Sequence, residues 1–275
     1  MKNLLLISKL DIIESFRSKW FIVYLLIFSG LIAIFFVSGV TNSRVLGFSG
    51  LTRLLLLFIQ ICIVIVPIFI LISTVRSISG DRESGLLEYF LSFPLSLKEY
   101  YFGKVLGRVF VVFTPLLFAL IISVLIGIIK GTKIPWDIFF FYTLLLLALS
   151  VVFLSFGFLI SSIVKNQEMG QGVAFLLWLI LIAFLDIALI GLMLKSAIRE
   201  TTIYAIALLN PIELFRIAAI SLFDPNLAVI GPAAYFILDK FTPTMFIIYT
   251  FGYSIIISIF CFFIGYYVFS KKDLV

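Results

Sequence analysis

The chain has 275 residues, of which 63% are apolar and only 12% are charged. A soluble domain is usually about 45–50% apolar and about 25% charged. This composition excludes an ordinary soluble domain and indicates a chain that is solvated by lipid. The formal net charge of +6 is typical of basic segments beside the cytoplasmic leaflet of a membrane protein, and it does not indicate nucleic-acid binding.

The absence of histidine narrows the chemistry that this chain can perform. Without His, there is no His general base, no Ser–His or Cys–His nucleophile pair and no His metal site. The phosphate-binding loop Gly-x-x-x-x-Gly-Lys-Ser/Thr is also missing, because Val105 follows Gly103-Lys104 and no glycine precedes at the required spacing. We therefore predict no catalytic residue, no metal site and no enzyme activity, and we interpret Cys62 and Cys261 as buried hydrophobic residues.

Residues 1–19 precede the first long apolar stretch and have an amphipathic helical pattern. One face of this helix would be apolar and carry Leu5, Leu6, Leu10, Ile12, Ile13 and Phe16. The opposite face would be polar and carry Asp11, Glu14, Ser15 and Ser18. This pattern is typical of a helix that lies in the plane of the membrane interface. The alternative is a cytoplasmic extension of the first membrane span.

Six stretches are long and apolar enough to span a bilayer, which takes about 20 residues. They are residues 20–40, 54–75, 109–129, 138–164, 169–194 and 241–270. Six spans place both termini on one side, and that side carries the larger share of the 20 Lys and Arg residues, so we predict cytoplasmic termini. The predicted fold is an all-α membrane protein: a single domain over 1–275, with six transmembrane helices after the interfacial helix.

A loop at residues 76–108, on the predicted cytoplasmic side, carries a short amphipathic helix. Its apolar face comprises four residues, Leu86, Leu87, Phe90 and Leu91. Pro94 ends this helix, and the pair Ser96 and Glu99 forms a capping box that opens the helix leading into the third span. The apolar face requires a cover, which is either the bilayer surface or a groove on a cytoplasmic partner. The turn Lys165-Asn166-Gln167-Glu168 lies on the same side and is a second candidate contact.

Residues 195–240 form a loop on the opposite side that is too long for a plain connection. Within it, Asn210 is placed as a helix N-cap, Pro211 takes the first helical position and Glu213 the third, with Arg216 one turn later. The short helix is either re-entrant, dipping back towards the membrane, or a capped surface helix without a role in transport.

Asp186 is the one acidic residue deep in a predicted span, the fifth. An acid at the centre of a span costs roughly 2.5–3.5 kcal/mol on insertion scales, and it usually faces the bundle interior or a cavity. Asp186 is therefore either a polar point or gate in a transport path, or a packing residue that is hydrogen-bonded to a neighbouring helix.

The loop after the second span resembles the coupling-helix region of ABC-2 type permeases. The matching segments are Asp81-Arg82-Glu83-Ser84-Gly85-Leu86-Leu87-Glu88, Phe93-Pro94-Leu95-Ser96 and Gly103-Lys104. The resemblance implies a type V exporter-like fold, a homodimer in the cell (inner) membrane and two cytoplasmic ABC ATPase subunits that bind the ATP and Mg. It also implies an ATPase-coupling role for residues 81–91, namely Asp81, Arg82, Glu83, Gly85, Leu86, Leu87, Glu88, Phe90 and Leu91.

A narrower resemblance is to the permeases that serve maturation of nitrous oxide reductase, a copper enzyme. It is carried by residues 184–190, by Leu209-Asn210-Pro211 and by residues 221–232. It implies a periplasmic accessory protein and the supply of copper or a sulfur species. The thiol and thioether residues do not cluster in the sequence, so direct passage of copper has no support from the residues themselves. The alternatives are an ABC-2 exporter of a lipid or drug-like molecule and a non-transporting membrane scaffold.

Overall fold

The computed structural model describes residues 2–37, 50–129, 136–184, 207–222 and 242–271. The described chain is helical, which confirms the predicted all-α class. Its elements are α1 (Lys2–Arg17), α2 (Lys19–Val37), α3 (Gly50–Glu83), α4 (Leu86–Leu91), α5 (Leu97–Ile129), α6 (Trp136–Ile163), α7 (Gln167–Leu179), a π-helical turn (Ile180–Phe184), α8 (Pro211–Ser221) and α9 (Pro243–Lys271).

Four of the described helices are long and apolar enough to cross a membrane. They are α5, α6, α9 and the part of α3 from Ile59 to Glu83, and they coincide with the second, third, fourth and sixth predicted spans. The 19-residue α2 coincides with the first predicted span. The fifth predicted span begins as α7 and the π-helical turn, and its end at residue 194 lies outside the described residues.

Helix α6 lies at the centre of the bundle. It packs against α3 on one side and α9 on the other, while α3 also contacts α7, and α5 carries α1 and α2 on its surface. Large aromatic side chains such as Phe153 and Phe158 of α6 are fully buried. Conversely, α5 and α9 expose apolar side chains such as Ile121 and Ile256 on their outer faces. An apolar exterior of this extent is expected where lipid replaces water as the solvent.

Helices α3 and α5 extend beyond the predicted spans, so the predicted bounds of the loop, residues 76–108, are too wide. Only residues 84–96 link the two helices, and α4 lies within this link. Charged residues mark where a helix leaves the hydrocarbon, but they do not end it, because its backbone hydrogen bonds are internal. The predicted capping box is confirmed: the Glu99 N–H donates to Ser96 Oγ at 3.2 Å and the Ser96 N–H to Glu99 Oε2 at 3.3 Å.

Gly85 makes the turn between α3 and α4. Its φ of 72° lies in the left-handed region, where a side chain would be strained. This residue therefore allows the chain to leave α3 and start α4 within a two-residue gap.

Helix α1 is separate from α2, so the alternative of a continuous first span is wrong. The chain bends at Ser18, whose hydroxyl accepts from the Phe21 N–H at 3.3 Å and so caps the start of α2. The apolar face of α1 is exposed, with Leu5 at 59% and Leu6 at 57%, whereas Asp11 is buried at 1%. This distribution is the reverse of that in a helix on a soluble protein and suits a helix at a lipid interface.

Candidate functional site

A buried charge cluster joins α1, α3 and α5 at the end of the bundle that carries α4. It consists of Asp11, Asp81, Lys104 and Arg108, supported by Tyr100. The Lys104 Nζ lies 2.8 Å from Asp81 Oδ2 and 3.5 Å from Asp11 Oδ1. Arg108 Nη2 lies 2.9 Å from Asp11 Oδ1, and the Tyr100 hydroxyl donates to Asp81 Oδ2. The two acids and two bases balance in charge, which is what burial of ionised groups requires.

Two glycines on α5 bring α1 close enough for this cluster to form. A Cβ on Gly103 would lie 2.9 Å from the Leu4 carbonyl oxygen, and one on Gly107 would lie 2.8 Å from the Ser8 carbonyl oxygen. Both distances are shorter than real Cβ contacts. The absent side chains therefore let the α1 backbone rest directly on α5, which places Asp11 beside the basic residues of α5.

The cluster was not anticipated from the sequence, although signals for it were present. Gly103 and Gly107 are four residues apart, as are Lys104 and Arg108, so each pair shares a helix face. Asp11 lies on the polar face of α1. A small-xxx-small pair flanked by two bases, together with an acid on a neighbouring amphipathic helix, is the pattern that would have pointed to it.

Arg82 and Glu83, both predicted coupling residues, bind the end of α3 to the turn before α7, which is defined as residues 164–168 and whose last two residues begin the helix. The Arg82 guanidinium donates to the Val164 carbonyl oxygen, and Glu83 Oε2 accepts from the Gln167 N–H at 3.0 Å. Arg76 Nε donates to Gln167 Oε1, also at 3.0 Å. The acidic-basic-acidic motif is therefore bonded within the chain, and Asp81 belongs to the buried charge cluster.

The turn before α7 leaves three of its predicted contact residues accessible. Lys165, Asn166 and Glu168 are exposed, whereas Gln167 is half-buried. Asn166 is also the N-cap of α7, since its side-chain oxygen accepts from the Met169 N–H at 3.0 Å. Residues on this turn can therefore contact a partner while they hold the start of the helix.

The apolar face of α4 points partly into the protein, which corrects its sequence-based assignment. Leu87 is only 1% exposed, and Phe90 and Leu91 are half-buried against the core. The ring of Phe90 lies 6.1 Å from that of Tyr100. The expectation that the bilayer or a partner covers the whole apolar face of α4 is therefore wrong for Leu87, because Leu87 belongs to the buried core and α4 packs against α3. Exposed around α4 are Gly85, Glu88 and three large side chains, Leu86 (41%), Tyr89 (59%) and Phe93 (50%).

Helix α8, at the opposite end of α6, is buried between α3, α6 and α9. All of its side chains except that of Arg216 are buried, so the alternative of a capped surface helix is wrong. Asn210 is the predicted N-cap: its Oδ1 accepts from the Ile212 N–H at 3.0 Å, and its Nδ2 donates to the Leu181 carbonyl oxygen at 2.8 Å. Glu213 forms a salt bridge with Arg216 one turn later.

The π-helical turn after α7 supplies the carbonyl group that Asn210 binds. A π-helical turn shifts the backbone hydrogen-bond pattern, and such turns occur frequently at functional sites. Asp186, the candidate for the transport path, lies outside the described residues, as do residues 195–206 and 223–240 of the predicted external loop.

The described part of the chain contains no group of three or more His, Cys, Asp or Glu side chains that could hold a metal ion. Cys62 and Cys261 are buried free thiols. The acidic residues of the buried charge cluster are held by Lys104 and Arg108.

The fold is that of a polytopic membrane protein of the permease type. It has several apolar helical spans, the α4 segment beside the buried charge cluster at one end and the buried helix α8 at the other. Residues 5–274 match the family described as ABC-2 family transporter protein. The chain belongs to this family and is an ABC-2 type transporter permease. Membership implies association with ABC ATPase subunits.

Two curated relatives bear the name "Probable ABC transporter permease protein NosY". The protein from Stutzerimonas stutzeri is 23% identical over 232 residues, which cover 82% of this chain and 84% of the relative. The protein from Pseudomonas aeruginosa is 24% identical over 225 residues, which cover 79% of this chain and 82% of the relative.

Proposed function

We propose that this chain couples ATP hydrolysis by a cytoplasmic ABC ATPase to transport across the cell inner membrane, with α4 as the principal ATPase-docking element. The observation that carries the proposal is that the helices on both sides of α4 are bonded to each other and to the turn before α7. Its neighbours α3 and α5 are joined by the Asp81–Lys104 ion pair, and α3 is bonded to the turn before α7 through Arg82 and Glu83. Force applied to α4 would therefore act on several helices together.

The exposed surface around α4 suits a protein partner. Leu86, Tyr89 and Phe93 present apolar area, Tyr89 and Phe93 pack edge to face at 5.2 Å, and Glu88 is exposed beside them. Exposed aromatic side chains are frequent anchors at protein interfaces. We propose an apolar groove on the ATPase as the cover for these residues, with Lys165 and Glu168 as a second contact.

The proposed assembly is a homodimer of this chain with two ATPase subunits, which bind the ATP and Mg, and with a periplasmic accessory protein. Both termini are proposed to be cytoplasmic. This orientation places α1, α4 and the turn before α7 on the side of the ATPase, as the distribution of Lys and Arg favours.

The proposed physiological role is maturation of nitrous oxide reductase through the supply of copper or a sulfur species. Its support is the coverage of the two relatives named NosY, together with the Leu209-Asn210-Pro211 segment, whose Asn caps a buried helix. On this proposal, Asp186, which follows the π-helical turn by two residues in the sequence, provides a polar group in the path.

Co-purification tests the proposed coupling. The tagged chain should recover an ATP-binding subunit whose hydrolysis rate changes when the two are assembled. Recovery of the folded chain without any ATPase, from cells that produce a candidate ATPase, would contradict the proposal. Reductase maturation in cells tests the finer role: Asp186→Asn should assemble and hydrolyse ATP but fail to mature the enzyme, whereas wild-type maturation would remove Asp186 from the path.

A further inference from the structure

We propose that the cleft between the α1–α2 bend and α3 binds the anionic headgroup of a phospholipid from the leaflet beside α4. The cleft has a volume of about 520 Å³, within the usual size of a small-molecule site. It is bounded by Ser15, Ser18 and Lys19 on one side and by α3 on the other. This proposal goes beyond the coupling role and does not depend on the identity of the cargo.

The cationic groups in the cleft are arranged to receive a phosphate. Lys19, Arg76 and Arg108 line it, and in the described chain no carboxylate lies within ion-pairing distance of Lys19 or Arg76. Arg76 donates its Nε to the neutral amide of Gln167, so the two terminal nitrogens of its guanidinium remain as donors. Arginine offers a planar array of donors that matches phosphate oxygens.

Not all of the charge in the cleft is positive, and the balance decides the sign of the ligand. Asp81 lines the cleft but is neutralised by Lys104 at 2.8 Å, and Arg108 is held by Asp11 at 2.9 Å. Glu14 also lines the cleft and is exposed. The two cations Lys19 and Arg76 therefore outnumber the one acid that has no ion pair in the described chain, Glu14, and the net charge of the cleft is positive, which favours an anion.

The apolar wall of the cleft distinguishes a lipid from a soluble phosphate. Ile68, Phe69 and Ile72 of α3 line the cleft one to two turns away from Arg76. An acyl chain lying along these residues would place its headgroup at Arg76. Ser15 of α1 lines the cleft, and α1 exposes its apolar face, so a position of α1 in the membrane interface would set the cleft at the level of the headgroups. Basic pockets between membrane helices on the cytoplasmic side commonly hold anionic lipids.

Native mass spectrometry of the full chain, released from micelles that contain equal amounts of phosphatidylglycerol and phosphatidylcholine, tests the site. The wild-type protein should retain phosphatidylglycerol preferentially. Arg76→Gln and Lys19→Gln should each lower this preference by about fivefold, the effect expected of one cation near an anionic lipid. Glu14→Gln should raise it, because this change removes the opposing charge.

Three controls distinguish an effect of the cleft on the lipid preference from an effect of general surface charge or of misfolding. Lys98→Gln removes an exposed cation outside the cleft and should leave the preference unchanged. Gln167→Ala removes the bond to Arg76 without changing the charge, and Arg76→Lys keeps the charge, so both should keep most of the preference. If Arg76→Gln fails to fold, Lys19→Gln and Glu14→Gln, both at exposed residues, still decide the outcome.

The proposal would be overturned by an unchanged preference in Lys19→Gln and Arg76→Gln, or by an equal loss in Lys98→Gln. A further arm adds glycerol 3-phosphate to the lipid-loaded protein. Displacement of the lipid at equal concentration would assign the site to a soluble phosphate and reject the lipid, whereas retention of the lipid supports the contribution of the apolar wall.

Discussion

Lys104 of α5 and Asp81 of α3 form a buried ion pair, with Nζ and Oδ2 2.8 Å apart and side chains that are 5% and 7% exposed. Asp81 lies two residues before the end of α3, and Lys104 lies two turns into α5. The pair therefore joins the two helices from which the segment with α4 begins and ends. Because Lys104 also lies 3.5 Å from Asp11, the same ammonium group connects this junction of α3 and α5 to α1.

The first prediction concerns this ion pair. Lys104→Met should lower the free energy of unfolding by about 3–5 kcal/mol, because it leaves the Asp81 carboxylate buried without its cation. Denaturant titration of the purified protein in detergent measures the effect. The double variant Asp81→Asn/Lys104→Met should lose less stability than the sum of the two single variants, with a coupling of about 0.5–3 kcal/mol.

Lys98→Met is the matched control for this prediction, because Lys98 is an exposed residue of the same helix. Its stability should stay within about 0.5 kcal/mol of the wild type. Additive effects of Asp81→Asn and Lys104→Met would contradict a direct energetic link between these residues.

The second prediction concerns the contact of α1 with α5. Gly107→Ala should destabilise the protein by about 1–3 kcal/mol, because the new Cβ would lie 2.8 Å from the Ser8 carbonyl oxygen and 2.9 Å from Asp11 Cβ. Gly172→Ala is the control, since nothing lies within 4 Å of its Cβ, and it should be neutral or stabilise α7 by about 0.5–1 kcal/mol. Equal stability of the two variants would argue against close packing at Gly107.

The spans were predictable because lipid imposes a simple rule of length and polarity on each helix. The ends of α3 and α5 were not, because the absence of charge defines the hydrocarbon core, whereas the helices continue through polar residues to Glu83 and from Leu97. The capping signals of Ser96 and Asn210 were readable, since each depends on residues within one turn.

The buried charge cluster could not be read from periodicity, because it depends on the packing of α1 onto α5. Asp11 and Lys104 are far apart in sequence, and only the approach at Gly103 and Gly107 brings them together. The assignment of Leu87 failed for a related reason. A helical projection defines the apolar face of α4, but it does not determine whether the rest of the protein covers that face.

The third prediction concerns the link between α8 and the π-helical turn. Asn210→Ser should keep a cap for the Ile212 N–H but lose the bond from Nδ2 to the Leu181 carbonyl oxygen, and Asn210→Ala should lose both. We expect the free energy of unfolding to fall in the order wild type, Ser, Ala, with about 1 kcal/mol lost for the cap. Equal stability of the Ser and Ala variants would show that the cap contributes nothing measurable at this site.

The last prediction separates the exposed and buried faces of α4 in ATPase association. Tyr89 is 59% exposed and Leu87 is 1% exposed, so their truncations should act on different quantities. Tyr89→Ala should leave the stability of the chain within about 0.5 kcal/mol of the wild type. If Tyr89 is an interface anchor, its truncation should weaken ATPase binding by about 2 kcal/mol, or roughly 30-fold. Leu87→Ala should instead lower the free energy of unfolding by about 2–5 kcal/mol.

Titration of the purified ATPase onto the chain in nanodiscs measures the affinity, and denaturant titration of the same variants measures the stability. Phe93→Ala should behave like Tyr89→Ala, because the two rings contact each other at 5.2 Å on the exposed face. Wild-type ATPase affinity in a Tyr89→Ala/Phe93→Ala double variant would contradict docking at this surface. It would instead favour a bilayer cover for these side chains, because side chains that lie against lipid do not contribute to the ATPase affinity.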